Sequence, residues 1–248
     1  MMFHAGPREA AGPTAVSAPP ASASLCLNCR VHRSCIGSIA AEAGTTHLQG
    51  VLSGRQALQS GEVLRRDTSD RAFFVVRSGC LKSVQAQTDG ARVLGFHLPG
   101  DLLAADAPQV TFTAVVATEL CAMRYPPGAG VDADTRALLG RLWDMRSCEL
   151  LREHAQRSWF ATLAAHQRVA AFLSTIASRL RARGESTADF RLRFSIGDIA
   201  GYLRLPSEPV GETLASFVRR GLLQGGPGQL RVVDAPALQR EAHMRRPL

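Results

Sequence analysis

"SIGDIAGYLRLPSEPVGETLASFVRRGLL", from Ser195 to Leu223, holds two short helical patterns separated by a tight turn. Ser195 is a capping residue type placed just ahead of Ile199, Tyr202 and Leu203, which share one apolar helix face. Arg204 to Pro206 reads as the turn, and Val210, Leu214, Phe217 and Val218 supply the inward face of the second helix. Pro209 is compatible with that helix because it falls in the first turn, where a missing N–H has no partner to lose. Two helices joined in this way place the second in a DNA major groove. The continuation "RRGLLQGGPGQLRVVD" (Arg219 to Asp234) reads as a helix end, a hairpin and a wing. A plain helical hairpin is the alternative. The wing, with Arg219 and Arg220 beside it and Arg204 in the turn, favours a face that holds phosphates.

Working upstream, Asp132 to about Arg183 is rich in Leu, Ala, Arg and Glu, has no proline and contains Gly140 as its single glycine. It predicts a long helix, broken near Ala164 to His166. Leu139, Leu142, Trp143, Arg146, Leu150, Glu153 and Arg157 recur at three- and four-residue steps, the spacing of a two-helix seam. Residues 45–127 carry the runs "AFFVV", "LKSVQAQ", "RVLGFHL" and "TFTAVVATELCAMRYP", punctuated by Gly, Asp-Gly and Pro-Gly, which predict a small antiparallel β-roll.

Composition limits the function. The chain has 248 residues, 46% of them apolar, and a formal net charge of +8 carried almost entirely by arginine, Lys82 being its single lysine. Excess fixed positive charge points to nucleic acid or another anionic surface, although a GC-rich genome explains the arginine skew equally well. No apolar run approaches the ~18 residues of a membrane span. The first 25 residues, broken by Pro and Gly, read as a disordered tail without the apolar core of a signal peptide, so a cytoplasmic location is expected. No nucleophile–base constellation or phosphate-binding glycine loop points to an enzyme. In "SLCLNCRVHRSC" (Ser24 to Cys35) three of the six cysteines are clustered, and in a reducing compartment such clusters are metal ligands or redox-active thiols more often than disulfides.

The cysteine loop, "RSGCLKSV" (Arg77 to Val84), "GFHLPGDLL" (Gly95 to Leu103), the long helix and the winged helix-turn-helix together resemble the Crp/Fnr superfamily of bacterial transcription regulators, its Fnr-type branch above all, over Cys26 to Ala237. The resemblance implies an α+β fold: a cysteine loop and an antiparallel β-roll of the cyclic-nucleotide-binding kind over 26–130, a dimerisation helix over 131–165, and a winged helix-turn-helix DNA-binding domain over 166–248. It implies a homodimer on double-stranded DNA that contacts RNA polymerase, with no membrane partner. It further implies a [4Fe-4S] cluster on Cys26, Cys29, Cys35 and Cys121, whose C-x2-C-x5-C spacing and distant fourth cysteine match the Fnr pattern. Zinc on the same four thiols is the alternative, as is a metal-free thiol switch. Cys80 and Cys148 fall outside the pattern and read as packing residues.

Other positions qualify that picture. Arg30, His32 and Arg33 lie between the ligands and favour thiolates, or simply form a solvated loop. Ser34 stands where the best-known Fnr pattern has leucine, which predicts thinner apolar cover and a labile cluster. "PGDLLAADAPQVTFTAVVA" offers Asp101 but no arginine before Arg124, so no cyclic nucleotide is expected. Glu153 matches an acidic position whose like-charge repulsion opposes helix pairing in the family; a salt bridge to Arg157 is the alternative. The family's recognition helix reads Glu, two residues, Ser or Gly, then Arg. Here Ser207, Glu208 and Gly211 are followed by Glu212, which cannot grip guanine: facing phosphates it is repelled, and facing a base it can accept a hydrogen bond from cytosine N4, so the usual Fnr-type half-site is not expected. The resemblance thus implies an oxygen- or redox-responsive DNA-binding regulator, with an interaction module of altered DNA specificity as the alternative.

Overall fold

The computed structural model describes residues 29, 31, 35, 52–65, 71–88, 90–104, 109–125, 133–184, 193–226 and 229–243. The expectations for the tail, Cys26, Arg30, His32, Arg33 and Ser34 lie outside these residues. Seven strands build the roll: β1 (Leu52–Leu58), β2 (Arg71–Ser78), β3 (Leu81–Gln87), β4 (Gly90–His97), β5 (Leu102–Ala104), β6 (Val110–Ala114) and β7 (Thr118–Tyr125). They form two antiparallel sheets, β1-β7-β2-β5 and β4-β3-β6. Helices α1 (Ala133–Ala161), α2 (Ala165–Ala182), α3 (Ile196–Leu203) and α4 (Ser207–Arg219) follow, then the hairpin β8 (Leu223–Gly226) and β9 (Gln229–Val232), and α5 (Ala235–His243). The mixed α and β architecture is the one expected.

Strand alternation decides what the roll presents. Phe74 and Val76 of β2, with Leu120 and Ala122 of β7, point into the roll against Leu58, Leu81 and Phe112. Their neighbours Phe73, Val75 and Met123 point to the opposite face, where Leu142 of α1 covers them. β2 is therefore buried on both sides, which is why "AFFVV" reads as an unbroken apolar run. "TFTAVVATELCAMRYP" reads as one run but makes two strands in different sheets, because the chain turns back at Val115 to Ala117. Gly79 makes the β2–β3 turn possible: its φ is +88°, and an added Cβ would stand 2.4 Å from the Ala117 carbonyl oxygen.

The long helix breaks at Thr162 to Ala164, just ahead of the expected place. Ala164 is extended, its N–H donates to Gln167 Oε1 at 3.1 Å, and the last turn of α1 tightens through Thr162 N–H to the Trp159 carbonyl.

The roll and the helix-turn-helix share one core. Phe96 of β4 packs on Phe172 of α2, Phe194 and Tyr202 of α3, with the ring centre of Phe194 at 4.2 Å. Lys82, cross-strand from Phe96, pairs with Asp198 at 2.5 Å. Asp101, at the turn after β4, is almost wholly buried, and its carboxylate accepts from Arg179 of α2, from Arg183 at the C-terminal cap of α2 and from the Leu98 N–H at 2.7 Å. Burial alone would raise the Asp101 pKa, but the two guanidinium groups outweigh it and hold the carboxyl below its usual range.

His97 is buried beside this cluster with Nε2 3.0 Å from Ser83 Oγ and Nδ1 without a hydrogen-bond partner. Burial pushes its pKa down to about 4. The unfolded chain, with an ordinary histidine near 6.5, therefore binds more protons across that interval, and stability falls as pH drops from about 6.5 towards 4. We expect a loss of roughly 3 kcal/mol over this window in urea melts of the wild type. The His97→Gln variant is expected to show a much flatter profile there.

Candidate functional site

The second helix of the helix-turn-helix pair carries the expected DNA face. Ser195 Oγ caps α3 by accepting from the Asp198 N–H at 3.0 Å, and Ile199, Ala200 and Leu203 seat that helix. α4 buries Val210, Leu214 and Phe217. At 100° per residue, the opposite side is Glu208, Glu212, Ala215 and Arg219, all exposed. Pro209 lies in the first turn, and Ser207 is exposed at the helix start. Gly211 is half-buried, and a Cβ there would meet Ile196 Cδ1 at 3.6 Å, so a small residue keeps the two helices close.

The arginines divide into two kinds. Arg204 and Arg219 are exposed and, among the described residues, make no ion pair. Arg220, also exposed, pairs with Glu241 of α5. Arg231, which the sequence reading passed over, reaches Gln224 across the β8–β9 hairpin. Arg204 is the one non-glycine residue with positive φ among the described residues, at 54°. A non-glycine side chain in this left-handed region costs ~1 kcal/mol.

Cys35 and Cys121 meet at the outer face of the β1-β7-β2-β5 sheet. Period-two alternation along β7 sends Cys121 to the outer face of the sheet, opposite Val75 of β2. Cys35 packs against the same outer cluster of Phe73, Val75, Leu102, Met123 and Leu142, with Met145 of α1 beside it. Cys29 lies beside Arg77, which pairs with Glu119 at 2.5 Å, two residues before Cys121 on that face. Burial lowers the Arg77 pKa, but these two neighbours outweigh it and hold the guanidinium above its ordinary value. Two of the four expected thiols thus share one face of one sheet, with Cys29 beside Arg77 on the same sheet. Among the described residues, no three of His, Cys, Asp and Glu stand together as a finished metal site. Cys80 is buried, and burial pushes its thiol up. Cys148 is exposed on α1, which corrects its reading as a packing residue.

α1 is poorly buried within its own chain. Of its described side chains only Leu142 and Phe160 are buried. Leu142 turns inward on the roll, which corrects its place in the expected seam. Trp143 and Leu150 from the seam are 47% exposed, and Leu151, which the heptad reading missed, is 69% exposed. Arg146 is half-buried 3.7 Å from Glu149, and Glu153 pairs with Arg157 at 3.1 Å. The Leu139 side chain lies outside the description. A cavity of about 710 Å³, lined by Asp101, Cys148, Glu149, Arg179 and Arg183 among others, separates α1 from α2. Burial, with Asp101 and Glu153 nearby, pushes the Glu149 carboxyl up to about 7.

These features define a winged helix-turn-helix protein joined to an antiparallel roll. Residues 167–241 match the Crp-like helix-turn-helix domain. Over 224 residues the chain is 28% identical to the transcriptional regulatory protein btr of Bordetella pertussis, covering 88% of this chain and 93% of that protein. It is 29% identical to the transcriptional activator protein FnrA of Stutzerimonas stutzeri (77% and 81% covered). It is 26% identical to the fumarate and nitrate reduction regulatory protein of Salmonella typhimurium (80% and 82% covered). The structure of FixK2 from Bradyrhizobium japonicum superimposes with a TM-score of 0.63 at 22% identity, covering 77% of this chain and 98% of that one. The chain therefore carries a Crp-like helix-turn-helix domain, is similar over most of its length to DNA-binding transcription regulators of the Crp/Fnr superfamily, and shares their fold. Among the described residues, no helix is long and apolar enough to cross a membrane.

Arg204→Gly separates the two roles of that residue. Glycine relieves the left-handed strain, and the variant is expected to gain about 0.5 to 1 kcal/mol in chemical denaturation. If Arg204 holds a phosphate, the same variant binds DNA more weakly and its log K against log[salt] slope becomes shallower by about one.

Proposed function

We propose that this regulator responds to oxygen or redox state through a [4Fe-4S] cluster held by Cys26, Cys29, Cys35 and Cys121. The supporting observation is that Cys35 and Cys121 share the apolar cluster on the outer sheet face beneath α1, with Cys29 beside Arg77 on the same sheet. The donor set fits the group: soft sulfur ligands, an apolar wall from Phe73, Val75 and Met123, and the Arg77 cation to offset anionic thiolates. When bound, the cluster supplies an oxygen-labile tie between the N-terminal segment and β7. Relatives named anaerobic regulatory protein, from Haemophilus influenzae, and electron transport regulator A, from Shewanella oneidensis, support this choice of signal.

The chain's own residues connect that face to pairing. Leu142 and Met145 of α1 rest on the apolar cluster that Cys35 and Cys121 also touch, so the seat of the N-terminal segment and the seat of α1 are shared. Trp143, Leu150 and Leu151 remain for a second copy of α1, and two such chains present two recognition helices to successive major grooves.

The reading is tested by anaerobic purification with metal and sulfide analysis. We expect about four irons and four sulfides per chain and a broad visible band that bleaches in air. Cys121→Ser is expected to lose the iron while keeping the far-ultraviolet circular dichroism of the wild type. One zinc per chain and no visible band would overturn the oxygen-sensing reading and leave a structural metal in its place.

A further inference from the structure

We infer that Glu212, with Glu208 one turn before it, determines operator specificity by accepting hydrogen bonds from base amino groups, and that this recognition helix reads cytosine where an arginine would read guanine. The inference rests on the chain being a DNA-binding regulator that uses α4.

Three features carry it. First, Glu208 and Glu212 lie within 40° of one another on the outward side of α4, directly opposite Val210, Leu214 and Phe217, so they are the side chains the helix presents to a groove. Both are exposed and, among the described residues, neither has an ion-pair partner, so their acceptor oxygens are uncommitted. Second, no donor cation shares that part of the face. Arg219 follows Glu212 by seven residues, ~10 Å along the helix axis, and Arg204 lies before the helix in the turn. The two arginines therefore bracket the carboxylates, in the right order to hold phosphates on either side while the carboxylates face base edges. Third, Glu208 and Glu212 are ~6 Å apart along the axis, close to two base-pair rises of 3.4 Å. Both can be satisfied at once by amino-bearing bases one or two positions apart.

The chemistry then limits the bases. An ionised carboxylate only accepts, and in the major groove only cytosine N4 and adenine N6 donate; guanine O6 and N7 are both acceptors and are repelled. Adenine also presents N7, which faces the second carboxylate oxygen with no proton between them. Cytosine has no such acceptor at that place, so it is the base the carboxylate favours.

Selection from a randomised duplex library, using full-length protein purified without oxygen, reads the specificity directly. The wild type is expected to enrich a half-site with cytosine at the position facing Glu212, and changing that cytosine to thymine should weaken binding by tenfold or more. Glu212→Arg should move the enriched base at that position to guanine. Glu212→Gln should move it to adenine, because an amide both donates and accepts. Enrichment of adenine by the wild type would keep the accepting role and overturn the choice of cytosine. Enrichment of guanine there by the wild type, or of the same half-site by the wild type and both variants, would overturn the inference while leaving DNA binding intact. Enrichment by Glu212→Arg alone would also overturn it, showing Glu212 to be merely repulsive. No enrichment by any of the three would overturn DNA recognition by α4 itself.

Discussion

The arrangement of this protein turns on one buried carboxylate. Asp101 has almost no contact with solvent, yet it stays ionised because Arg179 in the last turn of α2 and Arg183 at its C-terminal cap close on its two oxygens. Removing either partner of such a cluster leaves an uncompensated buried charge, which is far more costly than the cluster is favourable. The main chain reinforces the site: Asp101 N–H donates to the Leu98 carbonyl at 2.9 Å, and its own carbonyl accepts from Val76 N–H at 3.0 Å. The turn that ends β4 is thus fixed to β2 and to α2 together. Since α2 also anchors α3 and α4, the direction in which the DNA face points follows from the position of this carboxylate.

Around that point the interface is matched in kind as well as shape. Phe96 supplies apolar area to Phe172, Phe194 and Tyr202, while Lys82, its cross-strand partner, adds a charge contact to Asp198 at the start of α3. Ring packing is tolerant of small slips, whereas charge pairs over short distances are not. The combination fixes the orientation of the helix-turn-helix on the roll with more precision than burial of Phe96 alone would.

Much of this was legible in the sequence, for identifiable reasons. The helix-turn-helix announced itself because its signals are local: the Ser195 cap, the turn at Arg204 to Pro206, and apolar residues at three- and four-residue steps. β3 was readable because "LKSVQAQ" lies between two turn signals, Gly79 before it and Asp89-Gly90 after it. β1 was not, since "LSGRQAL" mixes polar residues and Gly54 in a strand whose partner residues on β7, from Thr118 to Met123, lie 60 to 71 positions further along the chain, so its pairing is set by tertiary structure and not by local pattern. β5 has only three residues, too short for any periodicity. Leu142 was misplaced because spacing shows which residues share a helix face without showing what that face meets. The clasp on Asp101 was invisible for the same reason as β1: its arginines are 78 and 82 residues further along the chain.

The separation of the two faces bears on how a signal travels. Cys35 and Cys121 lie outside the sheet under α1, whereas α4 turns Glu208, Glu212 and Arg219 away from the shared core. Between them stand the Asp101 cluster and the aromatic packing on Phe96, both of which resist a change in the orientation of roll and helix-turn-helix. α1 is different: among its described side chains only Leu142 and Phe160 are buried, and it faces α2 across a cavity. A helix so weakly held by its own chain is the element with freedom to respond. On the proposed reading, the thiols act on DNA binding chiefly by setting how two copies of α1 meet, and hence the spacing of two otherwise rigid recognition helices. That spacing is a sensitive control, because successive major grooves on one side of the duplex recur only every ~34 Å.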